Sequence, residues 1–250
     1  MISPDPVAPF WLTVFLDYPP SELEAGVRFW KAGTGYSLSP TRGEANQYAT
    51  LVPPTGDDYL RMQRLGDGPT GLHLDLHVRD PGAAAVAAEA AGAQLVTESP
   101  EGFFVLHSPA GFPFCLVTKP ASAVPPAVRW LSGHHSRVSQ FCLDVPRTRY
   151  AAEVRFFRTL LGGDWQELDE PETALLPAGS RAFDVRLQPA ELATGVTAHL
   201  HIATDNLPAE VARLSALGAR PRGNRPGKTI LEAPGGTALC VVTVESGEQE

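Results

Sequence analysis

Val27-Arg28-Phe29-Trp30-Lys31 returns, little changed, as Val154-Arg155-Phe156-Phe157-Arg158, 127 positions further on. Leu16-Asp17 and Leu143-Asp144 share that offset. His73-Leu74 returns as His199-Leu200 after 126 positions, and Ser108-Pro109-Ala110-Gly111 as Ala233-Pro234-Gly235-Gly236 after 125. Four matches in one order at nearly one spacing mark a tandem duplication of a unit about 126 residues long. Between the copies runs Lys119-Pro120-Ala121-Ser122-Ala123-Val124-Pro125-Pro126-Ala127, whose prolines favour an extended, semi-rigid connection. The chain thus divides into a first domain over 1–120, a linker over 121–136 and a second domain over 137–250. His134 and His135 fall in the linker and are expected to be exposed.

Each copy halves again. Ser21-Glu22-Leu23-Glu24 has the form of a capping box and predicts a helix start, with Leu23, Val27 and Trp30 on one face and a stop near Gly33 and Gly35. Asp80-Pro81 offers an N-cap followed by proline at the first helical position, and the alanine-rich run after it ends at Gly92. In the second copy Tyr150, Val154, Phe157 and Leu161 precede Gly162-Gly163, and Leu207, Val211, Leu214 and Leu217 precede Gly218. A strand precedes each helix, over 11–17, 72–78, 138–145 and 197–203, and short strands follow, among them 57–65, 103–107, 112–118, 181–188 and 237–244. The expected fold is α+β: four βαβββ modules forming two curled, mostly antiparallel sheets with helices on the outside.

Composition bounds the function. The chain has 250 residues, 43% apolar and 19% charged, enough apolar side chain for a core, and its 23 Gly and 24 Pro promise many turns. A net charge of −8 excludes a broad basic footprint for nucleic acid. No apolar run approaches the ~20 residues that cross a bilayer. The opening Met1–Phe10 has neither a charged start nor an apolar run, so no signal peptide is expected there. Cys115, Cys142 and Cys240 are too few for a disulfide scaffold and form no C-x-x-C pair; they read as small buried hydrophobes in a reducing compartment, the cytoplasm.

Strand alternation sorts the side chains by face. Leu72, Leu74, Leu76 and Val78 form an apolar face, and His73, Asp75 and His77 the other. Leu200 and Ile202 oppose His199 and His201; Leu60 and Met62 oppose Tyr59, Arg61 and Gln63; Phe183, Val185 and Leu187 oppose Asp184, Arg186 and Gln188. Thr13 and Phe15 oppose Leu12, Val14 and Leu16, and Gln140 and Cys142 oppose Phe141 and Leu143. A sheet face that collects histidine, glutamine, arginine and aromatics, rather than threonine, lysine and glutamate, has the chemistry of a small-molecule site. The candidate ligand-binding residues are Phe15, Tyr59, Arg61, Gln63, His73, Asp75, Gln140, Arg186, Gln188, His199 and His201, with His73 and His199 as the candidate catalytic residues. Among other aromatics, Phe104, Trp165 and Phe183 are further candidates, and Trp30 sits on an apolar helix face that reads as core.

The tandem modules, the Val-Arg-Phe-Trp helix at 27–30, the His73–Leu76 strand with its Asp80 cap, and the closing Ser108-Pro109-Ala110-Gly111-Phe112-Pro113-Phe114-Cys115-Leu116-Val117 resemble the vicinal oxygen chelate superfamily. That superfamily holds glyoxalase I, bleomycin-resistance proteins and extradiol dioxygenases; the resemblance is nearest to its glyoxalase-like domains and covers nearly all of 10–245. It implies a cup made of two modules and a divalent ion held by a His, Gln or Glu on the first strand, a carboxylate closing the first module, a His opening the second and a Glu closing the second. His73 and His199 match the opening histidine, whereas the closing glutamate falls on Pro113 and on Ala238. The first-strand position offers Thr13 or Phe15 in one copy and Gln140 in the other; the first module ends in Arg61 and Gln63, or Arg186 and Gln188, without a carboxylate in register, and Asp75 is the substitute nearest to hand.

Imidazole beside a neutral amide and a guanidinium is a poor divalent site. The expectation is therefore a metal-free binder of a small organic molecule, with no cofactor. The alternative is a lyase, isomerase or dioxygenase using Fe, Mn, Ni or Zn, or using His73 or His199 as general base and Arg61 or Arg186 as anion clamp. A third reading makes one copy a support for the other. The expected partner is the small molecule, with neither nucleic acid nor membrane, and the fused copies take the place of a homodimer, as a monomer or a weak dimer. No phosphate loop occurs, since Gly66-Asp67-Gly68-Pro69-Thr70-Gly71 lacks the lysine, and no nucleophile elbow occurs either.

Overall fold

In a computed structural model of the chain, the described residues are 6–169, 172–191 and 193–244; Met1–Asp5 of the opening segment and 245–250 of the second copy lie outside them. Strand, helix and three strands follow one another four times. The first module is β1 (Trp11–Tyr18), α1 (Pro20–Thr34), β2 (Ser37–Leu38), β3 (Tyr48–Val52) and β4 (Leu60–Arg64). The second is β5 (Gly71–His77), α2 (Pro81–Ala90), β6 (Gln94–Glu98), β7 (Phe104–His107) and β8 (Pro113–Val117). A short β9 (Val128–Arg129) lies within 121–136 and pairs antiparallel with β10 (His135–Pro146). The third module continues from β10 through α3 (Arg147–Leu161), β11 (Gln166–Asp169), β12 (Glu172–Leu176) and β13 (Asp184–Ala190). The fourth is β14 (Thr197–Thr204), α4 (Leu207–Ala216), β15 (Arg220–Arg225), β16 (Lys228–Glu232) and β17 (Ala238–Thr243).

Both copies give one strand order: β2-β3-β4-β1-β5-β8-β7-β6 in the first sheet and β11-β12-β13-β10-β14-β17-β16-β15 in the second. The sheets are mixed. Hairpins within the modules are antiparallel, but β5 runs parallel to β8 and β14 to β17. None of the described helices is long and apolar enough to cross a membrane.

The capping box is corrected. The N-cap of α1 is Pro19, at φ −63 and ψ 158, and Ser21-Glu22-Leu23-Glu24 lies inside the helix with no side-chain cap. Pro20 fixes a helical φ and starts the helix one residue before Ser21; the freed Glu22 and Leu23 N–H groups both donate to the Pro19 carbonyl. The buried stripe of α1 runs through Gly26, Phe29, Trp30 and Gly33, with Leu23 and Val27 only half-buried. Asp80 caps α2 as expected, accepting from the Ala83 N–H, and Asn206 does the same for α4 with Ala209. At the other end of α1, Gly35 takes φ 70, the left-handed stop the sequence expects of it.

The chain packs as two compact units, each drawing on both copies. One comprises Met1–Phe15, Leu72–Ala123 and Cys142–Ala198; the other comprises Leu16–Gly71, Val124–Phe141 and His199–Glu250. In the first unit, α3 is closed by the Ser108–Gly111 turn. The Glu153 carboxylate, wholly buried, accepts from the Ser108 hydroxyl and from the Ala110 N–H at 2.8 Å. Phe112 and Phe114 pack on Phe157 and Phe156 with ring centroids 6.5 and 5.8 Å apart.

In the second unit the equivalent turn, Ala233–Gly236, meets α1 around Tyr18. The Tyr18 hydroxyl bonds the Thr237 hydroxyl and accepts from Trp30 Nε1 at 2.8 Å, and burial pushes its pKa up to about 12. Glycine is required on both sides of that ring: a Cβ on Gly26 or on Gly235 would lie 2.6 Å from a Tyr18 carbon. Along the repeat, Gly26 corresponds to Glu153 and Tyr18 to Val145. The same joint is filled by a ring in one unit and by a carboxylate in the other.

His134 is also corrected: it is buried, not exposed. Its Nε2 lies 2.8 Å from Glu210 Oε2, and its Nδ1 lies 2.7 Å from the Ser132 hydroxyl. Glu210 accepts further from Ser136 and from the Arg213 guanidinium at two positions, each 2.8 Å, and these partners hold its carboxyl below the usual value despite burial. Arg213 stacks over Trp130 at 3.4 Å and donates to the Ala32 and Gly33 carbonyls at the end of α1. The segment between the copies is thus bound to two helices through one buried ion pair; removing a partner from such a pair costs about 3–5 kcal/mol.

Gly26→Ala forces Tyr18 to move and is expected to lower stability by about 1–3 kcal/mol. Gly33→Ala, whose new methyl finds its nearest atom at 3.6 Å, is expected to raise stability by about 0.5–1 kcal/mol. Denaturant melts of the two variants check the pair. A second expectation concerns Glu153, whose carboxyl burial raises above 4.5. A raised carboxyl favours the folded state most below the unfolded value and loses that contribution as pH climbs toward the folded one. Glu153→Gln should therefore gain stability relative to the parent as pH rises from 4.5, read from melts across pH.

Candidate functional site

On β5, Leu72, Leu74 and Leu76 are buried on one side and His73, Asp75 and His77 point to the other. The parallel neighbour β8 sets Cys115 beside Asp75 and Phe114 beside Leu74, which puts Pro113 beside His73. His73 Nε2 stands 3.8 Å from Asp75 Oδ1, with the two side chains 12% and 6% exposed. The donor atoms of His73, Asp75 and Cys115 all lie within 4.8 Å of one another. The Phe15 ring of β1 stacks on the His73 imidazole at 4.5 Å and 9° between planes. Burial pushes the half-buried Cys115 thiol up, and the hydrogen bond from His73 pulls it partly back. His77 has a different part: fully buried, it bonds Thr13 Oγ1 and the Lys119 carbonyl, both at 2.9 Å, and ties the sheet to the end of the copy.

In the second unit His199 and His201 are both buried, with their Nε2 atoms 3.3 Å apart, and Lys228 Nζ lies 3.3 Å from His201 Nε2. Parallel pairing sets Cys240 beside His201 and Ala238 beside His199. Tyr59 is core, its hydroxyl donating to the Val138 carbonyl at 3.1 Å, and the Arg61 Nε–H donates to Asp58 at 2.9 Å. Gln63 and Gln140 are half-buried. In the first unit Gln188 donates to Asp144 at 2.6 Å, and Arg186 reaches the Thr173 hydroxyl at 3.5 Å. Trp30 and Phe183 are core; Phe104 and Trp165 are half-buried, the Trp165 N–H donating to the Gly162 carbonyl.

Sequence reasoning gave Cys115 no role. A usable signal was present: Cys115 and Cys240 recur 125 positions apart, each two residues past the site where the resemblance implies a glutamate. Side chains two apart on a strand share a face.

The family model for the glyoxalase-like domain matches twice, over residues 4–117 and 140–242. The chain belongs to the glyoxalase-like domain family. It is thereby a member of the vicinal oxygen chelate superfamily, and solved structures with this fold cover 92–98% of it. The Mn(II)-bound glyoxalase from Novosphingobium aromaticivorans shares 19% identity at TM-score 0.63, over 92% of this chain and 80% of that one. The 2,3-dioxygenase LapB from Pseudomonas sp. KL28 shares 12% at TM-score 0.66, over 98% and 97%. Homoprotocatechuate 2,3-dioxygenase from Arthrobacter globiformis shares 14% at TM-score 0.62, over 96% and 82%. At these identities the likeness is one of fold. No curated protein matches this glyoxalase-like chain in sequence.

The donor set differs from the one the superfamily resemblance implies. Pro113, with no ligating side chain, stands beside His73, and the sulfur of Cys115 joins an imidazole and a carboxylate instead. Nitrogen, oxygen and sulfur donors together fit zinc; an all-oxygen and nitrogen set would fit Mn or Fe.

Cys142 and Cys240 are buried and Cys115 is not. Iodoacetamide on the folded protein is therefore expected to alkylate Cys115 first, with the other two reacting only on unfolding, as peptide mass mapping reads. Because burial raises the Cys115 thiol above 9.0, its rate should keep climbing with pH past that value.

Proposed function

We propose that this glyoxalase-like protein binds a small organic molecule against the polar face of the first sheet, with His73 as the polar anchor. The observation that carries the reading is the meeting of His73, Asp75 and Cys115 on one face, under the stacked ring of Phe15. An imidazole with a carboxylate 3.8 Å away is held ready to bond an oxygen or nitrogen of a ligand, and the aromatic ring supports a flat, apolar part of it. The protein acts in the cytoplasm, where free thiols persist, and works as a monomer whose fused copies stand in for a dimer.

One observation favours a second reading, an enzyme with a bound metal: three ligating side chains converge within 4.8 Å. His73, Asp75 and Cys115 would hold the ion, and zinc there would polarise an oxygen of the substrate. His73 and Asp75 then serve to orient the ion rather than to bond the ligand directly.

His73→Ala is expected to weaken the ligand by about five- to 150-fold, the cost of leaving a buried polar atom unpaired, without unfolding the chain. Leu74→Ala, in the fully buried face, should instead cost about 2–5 kcal/mol of stability. Thermal melts and ligand titration on both variants, with elemental analysis of the purified parent, make the test. Equal destabilisation by both variants with binding untouched makes His73 structural, and stoichiometric zinc lost in His73→Ala establishes the second reading.

A further inference from the structure

Arg61 and Arg186 hold the same place in the two copies. Arg61 faces Thr50, with Ala49 opposite Met62 and Leu51 opposite Leu60; Arg186 faces Leu175, with Ala174 opposite Leu187 and Leu176 opposite Val185. Every one of these pairs is displaced by 125 positions. The charges are treated differently. Arg61 donates through Nε to Asp58 three residues before it, so that guanidinium carries its own counter-charge. The residue corresponding to Asp58 is Phe183, a core side chain with no charge to offer.

Arg186 is left with little. Its Nε is shut from solvent without a hydrogen-bond partner among the described residues, and its Nη2 reaches only the Thr173 hydroxyl, at 3.5 Å. The acidic groups described on neighbouring strands are engaged elsewhere. Glu167 pairs with Arg158, Glu172 with Arg147, Asp184 accepts from the Ala178 N–H, and Asp144 accepts from Gln188. Arg186 as a whole is half-buried, so the rest of its guanidinium stays open to a ligand, and its planar fork of N–H groups matches a carboxylate in two parallel bonds.

We propose that Arg186 is the binding site for the carboxylate of a small organic acid, docked on the terminal N–H edge of its guanidinium, and that Arg61 is not such a site. The acid supplies in the second copy the charge that Asp58 supplies in the first. Thr173, fully buried, lies against Nη2 and helps to hold the guanidinium in place. This proposal goes beyond the reading at His73 and does not depend on it: it rests on β12 and β13, and its readouts are those of Arg186.

The test uses the full chain, with sodium acetate and sodium benzoate as probes and sodium chloride at matched ionic strength as control. The Nε–H nitrogen–proton resonance of Arg186, assigned by its loss in Arg186→Gln, reports binding. A saturable shift with either carboxylate and none with chloride is expected. Main-chain resonances of β12 and β13 should follow the same curve and weaken at least about tenfold in Arg186→Gln, the scale of a charge-assisted hydrogen bond. Arg222→Gln, which removes a surface arginine paired with Glu232, should bind within about twofold of the parent. Arg186→Lys should keep the charge but lose the fork, and bind at an intermediate level.

Melts give an independent arm. Arg186→Met should hold or raise the melting temperature of the ligand-free chain, because an enclosed Nε–H without a partner is removed, whereas Arg61→Met should lower it by stranding Asp58. No saturable shift with either acid, an equal shift with chloride, or unchanged affinity in Arg186→Gln overturns the proposal. So does an Arg186→Met variant as destabilised as Arg61→Met. Ligand loss confined to His73→Ala would leave this result standing, and the converse holds as well.

Discussion

The first βαβββ module of each copy does not finish its own helix. The strands cover one side of α1 and of α3 and leave the other to be buried by something else, and here that cover comes from the other copy. The Ser108–Gly111 turn closes α3, and its repeat, Ala233–Gly236, closes α1. Each contact is buried and closely packed, so its filling must be specific. A buried carboxylate with two donors fills one, and a phenol ring between two glycines fills the other. The strand order around these joints is identical in the two sheets because the backbone geometry is the same; the side chains that satisfy it are not.

The same separation of frame from chemistry runs through the polar faces. One copy places His73, Asp75 and Cys115 together, and the other places His199 and His201 with Lys228. Arg61 is neutralised by Asp58 where Arg186 has Phe183 as the matching neighbour. A duplication begins with two equal sites. These two now differ in ligating atoms, in local charge and in counter-ions, while every strand that carries them has kept its place.

The frame was legible in the sequence because it depends on local signals repeated at one offset. The four helices end at glycines that the chain needs for left-handed turns, and Asp80 caps α2 through a bond made three residues away. The first helix start was misread because Ser21-Glu22-Leu23-Glu24 satisfies a pattern while Pro20, one residue earlier, fixes the backbone angle that decides the start. His134 looked exposed because nothing near it in sequence reveals Glu210, 76 residues away. The polar faces were readable by alternation, yet their pairings were not. Cys115 becomes a neighbour of His73 and Asp75 only through the parallel register of β5 and β8, which follows from the crossover of the chain and not from any local pattern. Counting from the position of a missing glutamate pointed to Pro113; the sheet offers the residue two further on.

Because each compact unit takes segments from both copies, neither unit is complete until late in the chain. Leu16–Gly71 waits for His199 and the residues after it, and Leu72–Ala123 waits for Cys142–Ala198. On a ribosome, α1 leaves the exit with Tyr18, Gly26 and Trp30 prepared for a turn that is synthesised more than 200 residues later, around Gly235. Contacts that span so much chain form slowly and leave apolar surface uncovered in the interval. The proline-rich connection, by keeping the nascent halves on one tether, makes their meeting a matter of chain length rather than of protein concentration.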